Sequence, residues 1–150
     1  MPATSTVVNG CDVAVYIDGA SGTLVDVSGS ANRVNLDFSQ EVESFRVFGD
    51  KWRRRLACAK DATLTLDVVY STATDEGLDL LRDWYFGANS GVARTVRILV
   101  PENATGSDDY QGEFILSSLS IPINASQAGP ITVSAELVPN GEVTHATTTT

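Results

Sequence analysis

The side chains that most often carry acid–base or nucleophilic chemistry are few and scattered in this chain. The single histidine, His145, lies in a polar C-terminal stretch, so a Ser-His-Asp or Cys-His arrangement elsewhere has no base. The nearest carboxylate pairs are Asp108 with Asp109 and Glu41 with Glu43. Paired acids can serve glycoside hydrolysis, but these positions are typical of solvated loop and strand residues. We therefore predict no catalytic residue, and a hydrolase is the weakest function considered.

Metal and cofactor sites are also not predicted. Cys11 and Cys58 lie far apart, and neither has the close Cys or His neighbour that zinc sites require. Neither common glycine-rich phosphate-binding pattern occurs. We expect Cys58, in the apolar patch 56–59, to be a buried small hydrophobe. A disulfide between the two cysteines stays open as the less favoured alternative, because no export signal is expected.

The charged residues are distributed unevenly. The formal net charge is −9, yet residues 46–60 hold six basic side chains against one acidic side chain, a local +5 that leaves −14 elsewhere. A surface this acidic repels free nucleic acid over most of its area. We expect the basic segment to meet acidic surface on an identical subunit; a solvated basic loop is the alternative. The interface candidates are Lys51, Trp52, Arg53, Arg54, Arg55, Asp108 and Asp109.

Apolar alternation predicts a mainly β chain. In the segment 61–70, Leu64, Leu66, Val68 and Tyr70 share one face of an extended strand. Similar alternation recurs over residues 13–17, 24–27, 34–38, 41–47, 96–100, 110–123 and 131–137. A turn is predicted at 48–51, with a short strand over 54–59. The pattern changes face near Ser117, which predicts a β-bulge.

One helix is predicted over residues 74–86, where the apolar spacing changes from two to about 3.6 residues. Thr74 is the expected N-cap, with Asp75 and Glu76 in the first turn. The expected anchors of the helix on the sheet are Leu78, Leu81 and Tyr85, in a stripe widened by Leu80 and Trp84. An isolated helix among strands indicates a mainly β (α+β) domain and not alternating βαβ units.

The whole chain, 1–150, is expected to form a single domain, because no linker or internal repeat interrupts it. The ends, 1–8 and 140–150, offer little core and are predicted to be flexible arms in the free subunit. We expect at least one of these ends, or the turn at 18–23, to become ordered against a neighbour. No apolar run approaches the roughly 20 residues of a membrane-spanning helix, so no membrane insertion is expected.

Several segments resemble the major tail tube protein of long-tailed, siphovirus-type bacteriophages. They are Val47-Phe-Gly-Asp-Lys-Trp52 followed by Asp61-Ala-Thr-Leu-Thr-Leu66 and the helix, then the strand segment 112–122 and the closing segment 131–143. Together they span roughly residues 34 to 143. The run of three arginines at 53–55 departs from the family pattern.

The resemblance implies a β-sandwich or partial β-barrel with one flanking helix. It also implies a structural virion protein, not an enzyme, made in the cytoplasm of a bacterial host and assembled into stacked hexameric rings. Such a tail tube delivers DNA without binding it specifically, and its partners are a tape-measure protein and tail-end proteins. The alternative is a monomeric or low-order β-sandwich module that binds a carbohydrate or a receptor, with Trp52, Trp84 and Tyr85 as an aromatic platform.

Overall fold

The computed structural model describes residues 8–19, 22–74, 76–88, 90–101, 106–126 and 128–148. Within them lie eight strands, one α-helix and a short 3-10 turn at Gly10–Asp12. The strands are β1 (Ala14–Asp18), β2 (Leu24–Asp26), β3 (Ala31–Phe45), β4 (Arg54–Val69), β5 (Arg94–Val100), β6 (Asp108–Ser120), β7 (Thr132–Pro139) and β8 (Thr144–Thr147). The helix α1 (Gly77–Phe86) follows β4. The predicted mainly β fold with one flanking helix is confirmed.

The strands form one antiparallel sheet in the order β2-β1-β5-β6-β7-β4-β3, and β8 pairs with β6. Val13, just before β1, lines the same groove as Val34 and Leu36 of β3. Because β1 and β3 lie near opposite ends of the strand order, the sheet must curl to bring them together. The curled sheet does not close into a complete barrel. Of the two architectures expected from the sequence, a β-sandwich and a partial β-barrel, it corresponds to the partial barrel. The register shift between Leu116 and Ser118 confirms the predicted bulge.

The core lies inside this curl. The C-terminal half of β4 buries every second residue, as a strand with one core-facing side requires. It pairs with β7 through Leu64 opposite Leu137 and Leu66 opposite Ala135, all four of which are buried. Tyr70 lies beyond the end of the strand and is 37% exposed, so the buried face stops at Val68.

Helix α1 packs against β4 and β6 through Leu78, Leu81 and Trp84, which are fully buried. The expectation that Tyr85 anchors the helix was wrong, since its side chain is 45% exposed. Trp84 takes that place because its surroundings satisfy its polar atom: Nε1 donates to the Val92 carbonyl at 2.8 Å. The guanidinium of Arg94 also lies 5.5 Å from the centre of the indole ring.

The start of α1 differs from the prediction. The helix begins at Gly77, and the side chain of its N-cap residue, Glu76, makes no capping hydrogen bond. Ser30, distant in sequence, supplies the cap, because its Oγ accepts from the Gly77 backbone N–H at 3.0 Å. Thr74 is therefore not the cap, and Asp75 lies outside the described residues. A tertiary contact has replaced the local capping expected from the sequence.

The C-terminal region contains a strand that the sequence did not predict. Residues Thr144–Thr147 pair with β6, and Nε2 of His145 lies 2.8 Å from the Asp108 carboxylate. Apolar alternation could not reveal this strand, because its only apolar residue is Ala146. The expected mobility of both chain ends stays a prediction. Residues 1–7 and 149–150, and 20–21 of the turn at 18–23, lie outside the described residues.

Candidate assembly interface

Strands β3 and β4 continue beyond the body of the protein as a two-stranded arm, residues 40–60. The ladder runs from Gln40 opposite Lys60 to Phe45 opposite Arg54, with an irregularity between Gln40 and Val42. Every residue of the arm is exposed except the half-buried Asp50. Within one copy, the arm therefore packs on almost nothing but itself.

This exposure is unusual because the arm is rich in large apolar side chains. Val42, Phe45, Val47, Phe48, Trp52 and Leu56 are all exposed. Phe48 and Trp52, at the tip, reach 110% and 82% exposure. Single exposed apolar residues are normal, but groups of them mark interaction surfaces, and an isolated two-stranded ribbon is only marginally stable in water. Such a composition is typical of an element that packs against another surface.

The turn at the tip is held by Asp50. Its carboxylate accepts from the Trp52 backbone N–H at 3.1 Å and from Arg54 Nε at 3.0 Å, and its own N–H donates to the Val47 carbonyl at 3.3 Å. The bond from Trp52, and then that from Arg54, holds the pKa of the Asp50 carboxyl below its ordinary value. Gly49 has a φ of +86°, which favours glycine. The tip aromatics thus extend from a defined turn.

The arm also carries most of the cationic charge in the chain. Among ion pairs between described residues, the arm contributes only Arg54 with Asp50, at 3.0 Å. Its other cations, Arg46, Lys51, Arg53, Arg55 and Lys60, form no such pair within the described part of the chain. Five interface candidates, Lys51, Trp52, Arg53, Arg54 and Arg55, thus come together in the arm.

The two acidic candidates lie elsewhere, at the start of β6, and both bind partners in their own chain. The Asp109 carboxylate accepts from Arg97 at 2.9 and 3.0 Å, and its side chain is only 13% exposed. That hydrogen bond raises the pKa of Arg97. Asp108 pairs with His145 but keeps a half-exposed side chain. Asp108 is thus the more available of the two to a second copy.

The described residues do not form a metal site or an aromatic binding platform. They contain no cluster of three or more His, Cys, Asp or Glu side chains placed to hold a metal ion. Cys11 and Cys58 are free, exposed thiols; burial of Cys58 was a wrong expectation, because its segment belongs to the arm and not to the core. The aromatic platform is also absent from these residues, because Trp84 is buried under the helix. The same part of the chain has no helix with the length and apolar character needed to span a membrane.

Two depressions lie near the base of the arm. The larger, about 630 Å³, separates the base of β4 from the turn after β7 and is lined in part by Lys60, Ala62, Pro139 and Val143. The smaller, about 300 Å³, lies inside the open side of the curl. We call it the apolar groove; its lining residues are Val13, Val34, Leu36, Phe38, Ile98, Val100 and Tyr110.

The sequence missed the length of the arm. It predicted a turn at 48–51, which is found, but it separated the strand at 54–59 from the one at 61–70. The structure joins them in the 16-residue β4. Leu56, Cys58, Ala62 and Leu64 keep one two-residue period along β4, but the polar pair Lys60-Asp61 interrupts the apolar run. The pairing with β3 is irregular near the same place, between Gln40 and Val42. The high apolar content of a basic segment was the available signal.

No protein-family model and no curated protein sequence matches the chain. Solved structures are similar in fold. A chain in the tail of an empty gene transfer agent particle, refined with C6 symmetry, is 16% identical, with a TM-score of 0.71 over 92% of this chain and 98% of that chain. The SPP1 tail tube gives 14% identity and a TM-score of 0.73, over 95% and 80% of the two chains.

A third similar structure is a chain of the PVC sheath–tube complex, an extracellular contractile injection system in its extended state. It gives 14% identity and a TM-score of 0.71, over 96% of this chain and 94% of that chain. At such identities the likeness concerns the fold. Nearly the whole chain therefore has the fold found in these tail and tube structures.

Proposed function

We propose that this protein is a structural tail tube protein that self-assembles into stacked hexameric rings. The observation that carries the proposal is the exposed arm, residues 40–60, on a fold shared with tail and tube structures. An apolar, cationic element that packs on nothing in one copy is explained if a second copy covers it. The C6 symmetry used for the gene transfer agent tail supports the ring size.

The ends of the sheet support assembly in the same way. Strands β2 and β3 end the strand order, and β3 is 15 residues long. A long strand with an unpaired edge promotes uncontrolled association. Joining the sheets of neighbouring copies around a ring removes these edges, as closure does in any barrel.

The contact between copies in this proposal is head-to-tail, since the arm and the surface it meets are different parts of the chain. Lys51, Arg53, Arg54 and Arg55 approach acidic surface of the neighbour, with Trp52 buried between them. Complementary charge steers such an encounter and sets its orientation, and heterologous contacts generate rings or helical arrays. Asp108 is an acidic group that can form an ion pair with a cation of the neighbour's arm.

The proposed tube belongs to the tail of a phage or phage-like particle and is made in the cytoplasm of a bacterial host. Its bore conveys DNA without specific binding, because a wall with the excess acidity of this chain outside the arm repels phosphates. A tape-measure protein inside the bore and proteins at the ends of the tail complete the proposed partners. The role is structural, and no catalysis forms part of it.

Negative-stain electron microscopy of the purified protein over a concentration series tests the proposal. We expect rings with sixfold symmetry, and tubes at the highest concentrations. Featureless small particles at every concentration, with a monomer mass in solution, would contradict self-assembly and favour a monomeric binding module. Because an arm-driven interface is partly ionic, lowering the salt concentration should lower the concentration at which rings appear.

A further inference from the structure

We propose that the tip of the arm of one copy, Phe48 and Trp52, fills the apolar groove of an adjacent copy. The inference rests on the proposed function and deepens it, because it names the surface that receives the arm. It connects two features of a single copy. The aromatic tip is exposed, and none of the described residues fills the apolar groove.

The tip has the properties of an anchor. Its two aromatic side chains are the most exposed large hydrophobic residues near the turn. The hydrogen bonds of Asp50 to Trp52 and Arg54 fix the turn before any partner arrives. Pre-organised aromatic side chains dominate the binding energy of many interfaces, because little conformational freedom is lost when they dock.

The groove has the properties of a receptor for such an anchor. Val13, Val34, Leu36, Val100 and Tyr110 are partly buried and pack against the main core, so the groove is an extension of the core with one side missing. Its volume of about 300 Å³ lies at the lower limit of small-molecule sites, roughly 300 to 1,000 Å³. A space of this size can admit aromatic side chains.

The tip cannot reach the groove of its own chain. Phe38 of β3 lines the groove, and Phe45 lies seven residues further along the same strand. At about 3.3 Å per residue, the base of the tip is about 23 Å away. Folding back would break the ladder between β3 and β4, which runs to Phe45 opposite Arg54. A tip that fills the groove must therefore come from a second copy.

Charge favours the same pairing. The arm segment 46–60 carries +5, while the rest of the chain carries −14. Asp108 lies on β6, two residues from Tyr110 of the groove, and is half exposed. A cationic arm that inserts its aromatic tip beside this carboxylate gains attraction at the rim as well as apolar burial. Arm-to-arm contact would instead bring like charges together.

Fluorescence of Trp52 tests whether the tip is buried on assembly. The chain has two tryptophans, so Trp84→Phe leaves Trp52 as the only reporter. We expect emission typical of water and strong acrylamide quenching in the monomer. In assembled protein we expect a blue shift and at least a threefold smaller quenching constant. If Trp84→Phe fails to fold, the wild-type chain serves, because buried Trp84 adds a constant signal that difference spectra remove.

Cysteine cross-linking tests where the tip goes. In a Cys11→Ser/Cys58→Ser background, Lys51→Cys beside the tip is combined with Phe38→Cys at the mouth of the groove. Oxidation of assembled protein should link copies at least tenfold faster than in a control that combines Lys51→Cys with Ile123→Cys, which is exposed outside the groove. Both pairs keep Phe48 and Trp52.

The outcomes separate this inference from the proposed function. Tubes in which Trp52 is as accessible as in the monomer, or in which both cysteine pairs link equally, overturn the docking and leave the tube function standing. A blue shift with anionic phosphatidylglycerol vesicles but none on assembly overturns it in favour of membrane contact. If no assembly forms under any condition, the docking and the proposed function fail together.

Discussion

The two halves of β4 show how one strand can serve two regions of a molecule. From Ala62 to Val69 every second residue is buried, whereas from Arg54 to Asp61 every residue is exposed. Both halves contain leucine: Leu64 and Leu66 are 1% exposed, and Leu56 is 59% exposed. The difference lies in the neighbouring strands, because the C-terminal half pairs with β3 and β7, whereas the N-terminal half, among the described residues, pairs only with β3. Burial within one copy is thus set by topology, and the uncovered half is the part that we propose a second copy covers.

The largest expected effect on stability comes from emptying a core position under the helix. Leu81→Ala should lower the free energy of unfolding by about 2 to 5 kcal/mol, because Leu81 is fully buried and a cavity would remain. Its control in the arm, Leu56→Ala, should change that free energy by less than about 0.5 kcal/mol. Denaturant unfolding of dilute monomer measures both. Equal losses of unfolding free energy in the two variants would contradict the distinction between a packed body and an exposed arm.

The largest expected effect on assembly comes from reversing the charge of the arm. Replacing Arg53, Arg54 and Arg55 by Glu should suppress polymerisation while leaving the circular-dichroism spectrum of the monomer unchanged, since all three side chains are exposed. The triple replacement by Lys keeps the charge and should still assemble. Sedimentation and microscopy follow both variants. Normal tubes from the Glu variant would remove the arm cations from the interface.

A smaller effect is expected at the start of the helix. Ser30→Ala removes the acceptor of the Gly77 N–H bond and should lower the free energy of unfolding by about 1 kcal/mol, the usual loss of an N-cap. Thr74→Ala is the control, because Thr74 lies outside the helix and is exposed. Urea unfolding should resolve the two. A greater loss of unfolding free energy from Thr74→Ala than from Ser30→Ala would show that Thr74 caps the helix and would contradict capping by Ser30.

The smallest effect concerns the turn at the tip. The pKa of Asp50 is lower in the folded chain than its ordinary value of 3.8, so its stabilisation of the turn is present above that value. It is lost as the pH falls through the lowered pKa. Asp50→Asn, or acid, should lower the protection factor of the Trp52 amide, which compares its exchange rate with that of an unstructured chain at the same pH, without moving the thermal midpoint. Nuclear magnetic resonance follows this exchange. Unchanged protection at Trp52 would mean that Asp50 does not hold the tip.

Much of the body was predictable, because its signals are local. The alternation of Leu64, Leu66 and Val68 places one face of β4 in the core, and the spacing of Leu78 and Leu81 indicates the helix. What failed depended on distant contacts. Trp84 displaces Tyr85 because the Val92 carbonyl satisfies its indole, which helical spacing alone cannot reveal.

The arm was only half predicted, and for a different reason. Its unbalanced charge is visible in the sequence and predicts an interface with a second copy, which stays a prediction. Its geometry is not visible, because apolar residues such as Leu56 have the same pattern whether the covering surface lies in the same chain or in another. The acidic candidates show the same limit: Asp109 is bound by Arg97, a partner twelve residues away that charge counting cannot identify.

Helical reconstruction of tubes formed by the wild-type protein, by cryo-electron microscopy, tests the central claim most directly. We expect sixfold rings in which residues 40–60 of each copy lie against a neighbouring copy, with Phe48 and Trp52 removed from solvent. Tubes in which the arm lies in solvent and touches no neighbour would contradict the role given to it. Protein that yields no ring at any concentration would contradict the tube itself.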